Sequence, residues 1–374
     1  MIPAKTGPLL FKLIFPPVAL GLSVFAAFWS CATLEERPQS HGDSPPHHAP
    51  KGYRNPSYQP RRGFGGVLKW RLGLGPRETP PLSPDEIPPY QPVIAQPELA
   101  RIKNPPPGQI QLTWIGHSTF LIQMDGFNVL TDPVFNGRLA PFYFGGIKRV
   151  VLPGLRFEDL PPIHAVLISH NHYDHLDEST INRLGNQPRY FLPLGVGQWF
   201  KKRQLDNFAE MDWWQTASWS GLTFHSVPLQ HFSGRTPFDR NRTLWSGWVL
   251  EGQRAKIFFA GDTGYSPEFK EIGERLGPID VSLIPIGAYR PRWFMRPVHV
   301  DPPEAIRVHQ DTKSTRSIAS HWGTFRLSDE PLGEPPIYLK KTLKETGVDE
   351  KSFLIMKFGE TVTFPTVKPV ISNQ

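Results

Sequence analysis

The stretch that most constrains this chain is Ile163-His164-Ala165-Val166-Leu167-Ile168 followed by Ser169-His170-Asn171-His172-Tyr173-Asp174-His175-Leu176-Asp177. The short apolar run reads as a buried strand. The histidine cluster therefore sits where a core strand ends and a loop begins, the edge at which α/β folds gather ligands. Three imidazoles and two carboxylates fall between His170 and Asp177. His170 and His172 lie two apart and can aim at one ion. Asp174 and His175 can aim at a second ion beside it. Imidazole and carboxylate donors suit zinc. A merely solvated turn is built from Gly, Asn, Asp and Ser instead.

The same pattern recurs at four other places, each a polar ligand at the end of an apolar run. Leu222 to Leu229 leads to Gln230-His231, and Lys256 to Ala260 leads to Gly261-Asp262-Thr263-Gly264. Ser317-Ile318-Ala319 leads to Ser320-His321, and Thr113-Trp114-Ile115 leads to Gly116-His117. Singly, each reads as a satisfied structural residue. Together they read as strand ends converging on one edge. The single cysteine, Cys31, permits no intrachain disulfide, so the metal-capable donors are His, Asp and Glu.

The chain divides into three parts. Residues 1–31 read as an export or anchoring segment: Lys5 and Lys12 precede an uncharged run from Leu13 to Ser30, long enough to approach a bilayer's span. Cys31 ends that run as the lipid acceptor of a bacterial lipoprotein signal would, with a plain anchor as the alternative. This predicts a membrane-associated protein of the cell envelope, its domain facing the periplasm. Residues 32–105 read as a Pro-rich connection; half of the 42 prolines lie in the first 110 residues. Prolines exclude regular helix and central strand where they cluster. Lys51, Arg54, Arg61, Arg62, Lys69, Arg71 and Arg77 follow one another without an intervening acid. Such a stretch either stays in solvent as a linker or lies on anionic lipid head groups.

Residues 106–374 read as one packed α/β domain. Strands are expected at Ile110–Ile115, Phe120–Met124, Phe127–Leu130, Ala165–Ile168, Tyr190–Leu192, Thr223–Val227, Trp245–Leu250, Lys256–Phe259, Val281–Pro285, Ser317–Ala319 and Phe353–Phe358. Asp125-Gly126 supplies the positive φ of a tight hairpin. Helices are expected after Asp177, after Gly195 and at Pro302–His309, the last capped by Asp301 with Pro302 in its first turn.

The spacing His170-x-His172-x-Asp174-His175, then His231, Asp262 and His321, resembles the metallo-β-lactamase superfamily. That resemblance implies a four-layer αββα sandwich with two zincs per chain. His170, His172 and His231 would hold one zinc; Asp174, His175 and His321 would hold the other; Asp262 would bridge. His172 in place of a Glu favours zinc over iron. Within the superfamily, Gln230–Thr236, Leu244–Trp248, Gly261–Tyr265, Pro285–Met295, His299–Pro302 and His321–Phe325 resemble the N-acyl-phosphatidylethanolamine-hydrolysing phospholipase D family. The likeness runs from about Gly108 to Phe358.

The family implies a phosphodiesterase that attacks phosphorus with zinc-activated water and leaves phosphatidic acid and the head-group alcohol. The alternative is a zinc lactonase or another hydrolase of the same fold. Asp174, His299 and His117 are the candidate catalytic residues, the two histidines as proton donors or as groups that orient a ligand. Asp132 and Asp177 read as turn or ligand-orienting residues. Trp213-Trp214 and Trp293-Phe294-Met295 read as core or as acyl contacts. Arg290, Arg292 and Arg296 read as phosphate partners or solvated surface. The net charge of +7 points to an anionic partner. Because the basic run lies outside the catalytic part, a phospholipid substrate at a membrane surface is expected rather than nucleic acid.

Overall fold

The structure, a computed structural model, describes residues 44–57, 64–139 and 146–365. The expected export segment and Cys31 lie outside the described residues. No helix among them is long and apolar enough to cross a membrane.

Two seven-stranded sheets form the frame. The first runs, in spatial order, Phe208–Met211, Arg189–Pro193, Ala165–Leu167, Phe127–Thr131, Thr119–Met124, Gln109–Gly116 and Thr361–Pro365. The second runs Thr216–Trp219, Leu222–Val227, Gly247–Glu251, Lys256–Phe259, Ile279–Pro285, Ser314–Ser320 and Phe353–Leu354. Side chains alternate across each strand with period two. In the first sheet Trp114, Phe120, Ile122 and Leu167 face inward, where they meet Phe224, Trp248, Leu250 and Phe259 of the second. The outward set of the first sheet, Ile115, Leu121, Leu130 and Val166, packs on Ile102, Ile181 and Phe200 from three short helices. The outward set of the second, including Val249, Phe258 and Ile284, packs on Phe269, Ile306, Leu339 and Leu343 from helices Glu268–Arg275, Pro302–Asp311 and Glu334–Thr346. Burying both faces of both sheets yields the four-layer αββα sandwich that was expected.

Pairing directions place the ligands. Phe127–Thr131 is parallel to Ala165–Leu167 and, through two antiparallel steps, also to Gln109–Gly116. In the second sheet Leu222–Val227, Lys256–Phe259, Ile279–Pro285 and Ser314–Ser320 all run one way by the same reasoning. Their C-terminal ends carry His117, Asp132, the His170–His175 loop, His231, Asp262 and His321. Asp125 and Gly126, at φ 49° and 83°, make the predicted tight turn, and Asp301 caps Pro302–Asp311 by accepting from Glu304 N at 3.0 Å.

The Pro-rich stretch departs from expectation. Much of it is exposed, as a linker would be, but parts of it pack on the domain. Helix Phe64–Arg71 forms in the proline-free interval between Pro60 and Pro76, and buries Val67 and Trp70 against Phe294 and Met295. Trp70 Nε1 donates to Asp329 Oδ2 at 2.7 Å, and Glu78 accepts from the backbone of Arg292 and Trp293.

Candidate metal centre

Every residue expected to bind metal is gathered at the strand-end edge. His170 Nε2 lies 2.7 Å from His172 Nδ1, and His231 Nε2 lies 3.4 Å from the same atom. These three nitrogens form one half of the centre. Asp174, His175 and His321 form the other, joined by His117. Asp262 lies between the halves. Its Oδ2 is 3.1 Å from His175 Nε2 and 3.9 Å from His231 Nε2, while its Oδ1 is 3.0 Å from His321 Nε2.

Surrounding hydrogen bonds decide which ring nitrogens face inward. Val298 O can only accept, so His231 Nδ1 donates to it at 3.0 Å and Nε2 keeps its lone pair. Ser169 Oγ gives its single proton to Asp132 Oδ2, so it accepts from His170 Nδ1 at 2.9 Å. His170 Nε2 is thereby left as a ligand atom. Asp132 also accepts His175 Nδ1 at 2.6 Å and Ser169 N at 2.7 Å. Asp132 is thus a ligand-orienting residue, the pattern by which outer carboxylates fix metal-binding imidazoles. Asp177 has the other role foreseen for it: it caps Glu178–Leu184 and binds Thr180 Oγ1.

Close approach is built into the backbone. A Cβ on Gly261, at φ +57°, would stand 2.5 Å from Ser169 Cβ, so glycine lets the Asp262 loop reach the histidine loop. His117, Asp132 and His321 hold φ of 56°, 32° and 58°, a left-handed conformation that costs energy for non-glycine residues and clusters at functional sites. Buried Arg235 bridges the ends of the histidine loop, donating to Asn171 O at 2.9 Å and Leu176 O at 2.8 Å.

The electrostatics call for cations. Burial drives the His170 and His231 imidazoles well below their usual range, and His172 down to about 4, which keeps them neutral donors. Burial also opposes charge on Asp174 and Asp262, yet His175 beside both, with His321, holds them ionised. In His321 burial is outweighed by Asp262 and Asp174, which lift it to about 9; His175 is raised likewise. The negative field that raises these two imidazoles is one that a divalent cation at the same point would balance. Among the described residues, His175 Nε2, His321 Nδ1 and Nε2 and Asp262 Oδ1 are buried without a well-directed hydrogen bond, the approaches of His175 and His321 to Asp262 being ion-pair contacts alone. Orphaned donor atoms converging with spare lone pairs fit two divalent cations.

The two proton-donor candidates part company. His117 is fully buried, with Nε2 3.0 Å from Asp174 Oδ2 and its ring 4.0 Å from that of His321. That places it to steady a ligand. His299 lines a cavity of about 140 Å³ that opens over the centre, its Nδ1 3.9 Å from Asp262 Oδ2. His172, Asp174 and Asp262 form the polar floor of that cavity, and Trp70, Phe232, Met295 and Leu327 contribute apolar wall.

Other expectations need correction. Arg290 and Arg292 are half-buried and pair with Glu334 and with Asp301 and Glu304, respectively, whereas Arg296 is exposed, as a solvated surface residue would be, and pairs with Glu304. Trp213 is core, stacked on His47 and donating to Trp245 O. Of Trp293-Phe294-Met295, only Met295 reaches the cavity. Sequence reading missed Trp70 and Asn55, the latter bonded to the His231 backbone. Both sit in a stretch whose prolines masked any signal.

A two-sheet sandwich with a doubled His/Asp centre at its strand ends defines a metal-dependent hydrolase class. The family model for the beta-lactamase superfamily domain matches residues 127–322, and the chain belongs to the metallo-β-lactamase superfamily. It is 38% identical over 268 residues to an N-acyl-phosphatidylethanolamine-hydrolyzing phospholipase D of Caenorhabditis elegans, covering 66% of this chain and 74% of that one. It is 32% identical over 261 residues to the mitochondrial protein of that name from Saccharomyces cerevisiae, covering 67% of this chain and 55% of that one. Among solved structures, a metallo hydrolase of Ignicoccus hospitalis superposes with a TM-score of 0.54 at 22% identity, covering 68% of this chain and 98% of that one.

Proposed function

We propose that the chain is a zinc-dependent phosphodiesterase of the phospholipase D type, acting on an N-acylated or related ethanolamine phospholipid. The observation that carries this reading is the cavity. Its floor presents His172, Asp174, Asp262 and His299, and its remaining wall is largely apolar. A phosphodiester with hydrocarbon attached on either side matches that division. The names of the relatives at 38% and 32% identity support the same substrate class.

Bound at the two halves, zinc would supply Lewis acidity toward phosphoryl oxygens and activate water for attack. The chain's own residues hold and shape the site. His170, His172 and His231 on one side and Asp174, His175 and His321 on the other fix the centre, and Asp262 spans it. Asp132 and Ser169 lock the rings. Trp70, Phe232, Met295 and Leu327 hold the acyl portion and exclude water. Hydrolysis joins the water oxygen to phosphorus and breaks the bond from phosphorus to the head-group oxygen. The departing alkoxide needs a proton, and we assign its delivery to His299, which lines the cavity. The uncharged run of residues 13–30 would hold the domain near bilayer substrate and raise its effective concentration there.

The test is incubation of purified protein with a panel of phospholipids and with lactones, with and without chelator, and identification of the products by mass spectrometry. Chelator-sensitive release of N-acylethanolamine is expected. Rapid lactone opening with no phospholipid turnover would overturn the proposal.

A further inference from the structure

Residues 44–57 form a strap that reaches the ligand edge. One end is anchored: His47 Nε2 meets Asp212 Oδ1 at 2.6 Å and His48 Nε2 meets Asp212 Oδ2 at 2.8 Å, while His47 stacks on Trp213 at 4.3 Å. Each of these ring nitrogens already has a carboxylate oxygen, so this His-Asp-His group ties the strap down. Farther along, Tyr53 N donates to Asn241 O at 2.8 Å. Any Cβ on Gly52 would fall 2.1 Å from that same oxygen, so the strap lies this close only because residue 52 is glycine. The strap then delivers Asn55, which is 2% exposed.

Asn55 engages His231 twice. Its Oδ1 accepts His231 N–H at 3.1 Å, and its Nδ2 donates to His231 O at 2.8 Å. The strand Leu222–Val227 ends four residues earlier, so His231 lies beyond its ladder. A side-chain amide has the donor and acceptor of a peptide group and can take the place of a neighbouring strand. Val298 O fixes the ring and Asn55 fixes the backbone that carries it. Ligand atoms must be held within about 0.5 Å of productive geometry for tight binding.

We propose that Asn55 is a positioning residue for the metal centre: by clamping the His231 backbone it sets the affinity of the His170–His172–His231 half for a divalent cation. The inference rests on the two-cation reading above and concerns only one half of it. The test uses the full chain and Asn55→Ala, both loaded with Zn²⁺ and dialysed against a graded series of chelators, with metal counted per chain. Wild type is expected to retain two equivalents. Asn55→Ala is expected to release one of them at about 10–100-fold weaker chelation and to hold the other as wild type does, with its far-UV circular dichroism unchanged. A role confined to stability would not split the two equivalents. Retention of both as in wild type, or parallel loss of both, overturns the proposal. Should Asn55→Ala not fold, Asn55→Asp keeps the acceptor for His231 N–H and loses the donor to His231 O. Early loss of one equivalent from it supports the clamp, and wild-type retention overturns it. A wild-type chain that binds neither equivalent refutes the two-cation reading itself, a result distinct from failure of the clamp.

Discussion

Asp132 shows how much a single buried carboxylate can organise. It receives Ser169 N, Ser169 Oγ and His175 Nδ1, and through Ser169 it sets the tautomer of His170. Asp132→Asn keeps the shape but cannot accept all three bonds, so metal affinity or turnover is expected to fall about 10–100-fold. Metal titration of that variant against wild type checks this. Removing a ligand outright has a larger consequence: His172→Ala or Asp262→Ala is expected to abolish turnover and release metal, and full activity in either would contradict the assignment of the centre. At this scale the sequence was highly informative. Imidazoles and carboxylates at strand ends stand out because few other roles place them there. The residues that brace them, Asn55 and Val298 among them, did not stand out, since an asparagine or a backbone carbonyl carries no signature of what it touches.

Among elements, legibility followed hydrophobic pattern. Ala165–Leu167 and Lys256–Phe259 were readable because strands buried on both faces are uninterrupted apolar runs. Thr216–Trp219 and Thr361–Pro365 were not, because each is a sheet edge of mixed composition, the first with no buried side chain and the second with only Thr361 and Phe364 buried. Phe353–Phe358 reads as one strand but pairs only over Phe353–Leu354, and Phe358 instead bridges Ile94 from the Pro-rich stretch. The Asp301 cap was legible and has a measurable worth: Asp301→Ala should cost about 1 kcal/mol in chemical denaturation. Helix Phe64–Arg71 was hidden by its surroundings, yet it supplies Trp70 to the cavity. Trp70→Ala removes that wall and the bond to Asp329. It should raise KM for a long-chain phospholipid while sparing kcat on a short-chain one, as steady-state kinetics on the two substrates would show.

In the molecule as a whole, both sheets send their ligands to one edge, and the site depends on their staying together. Cross-sheet bonds do this: Trp248 Nε1 to Ile168 O at 2.9 Å, Ser246 N to Ser169 O at 2.8 Å and His321 N to His117 O at 3.1 Å. Cations held by ligands from both sheets bind only the folded state, so stripping metal should lower the melting temperature; saturation at about 100 times Kd is worth about 2.7 kcal/mol. The αββα architecture was legible because the ligand spacing resembled one superfamily. What lay across residues 44–105 was not, because proline content describes what a segment cannot form and is silent on what it packs against. A chain beginning at Pro105 lacks Asn55, Trp70 and the His47–His48 anchor, and should bind metal and substrate less well than the full chain. The most direct test of the central claim is hydrolysis of an N-acylated ethanolamine phospholipid in ¹⁸O-labelled water, with both products weighed by mass spectrometry. We predict phosphatidic acid carrying one ¹⁸O and unlabelled N-acylethanolamine, both lost with chelator and in His172→Ala. Label in the N-acylethanolamine, or release of free fatty acid or a phosphorylated head group in place of phosphatidic acid, would contradict it.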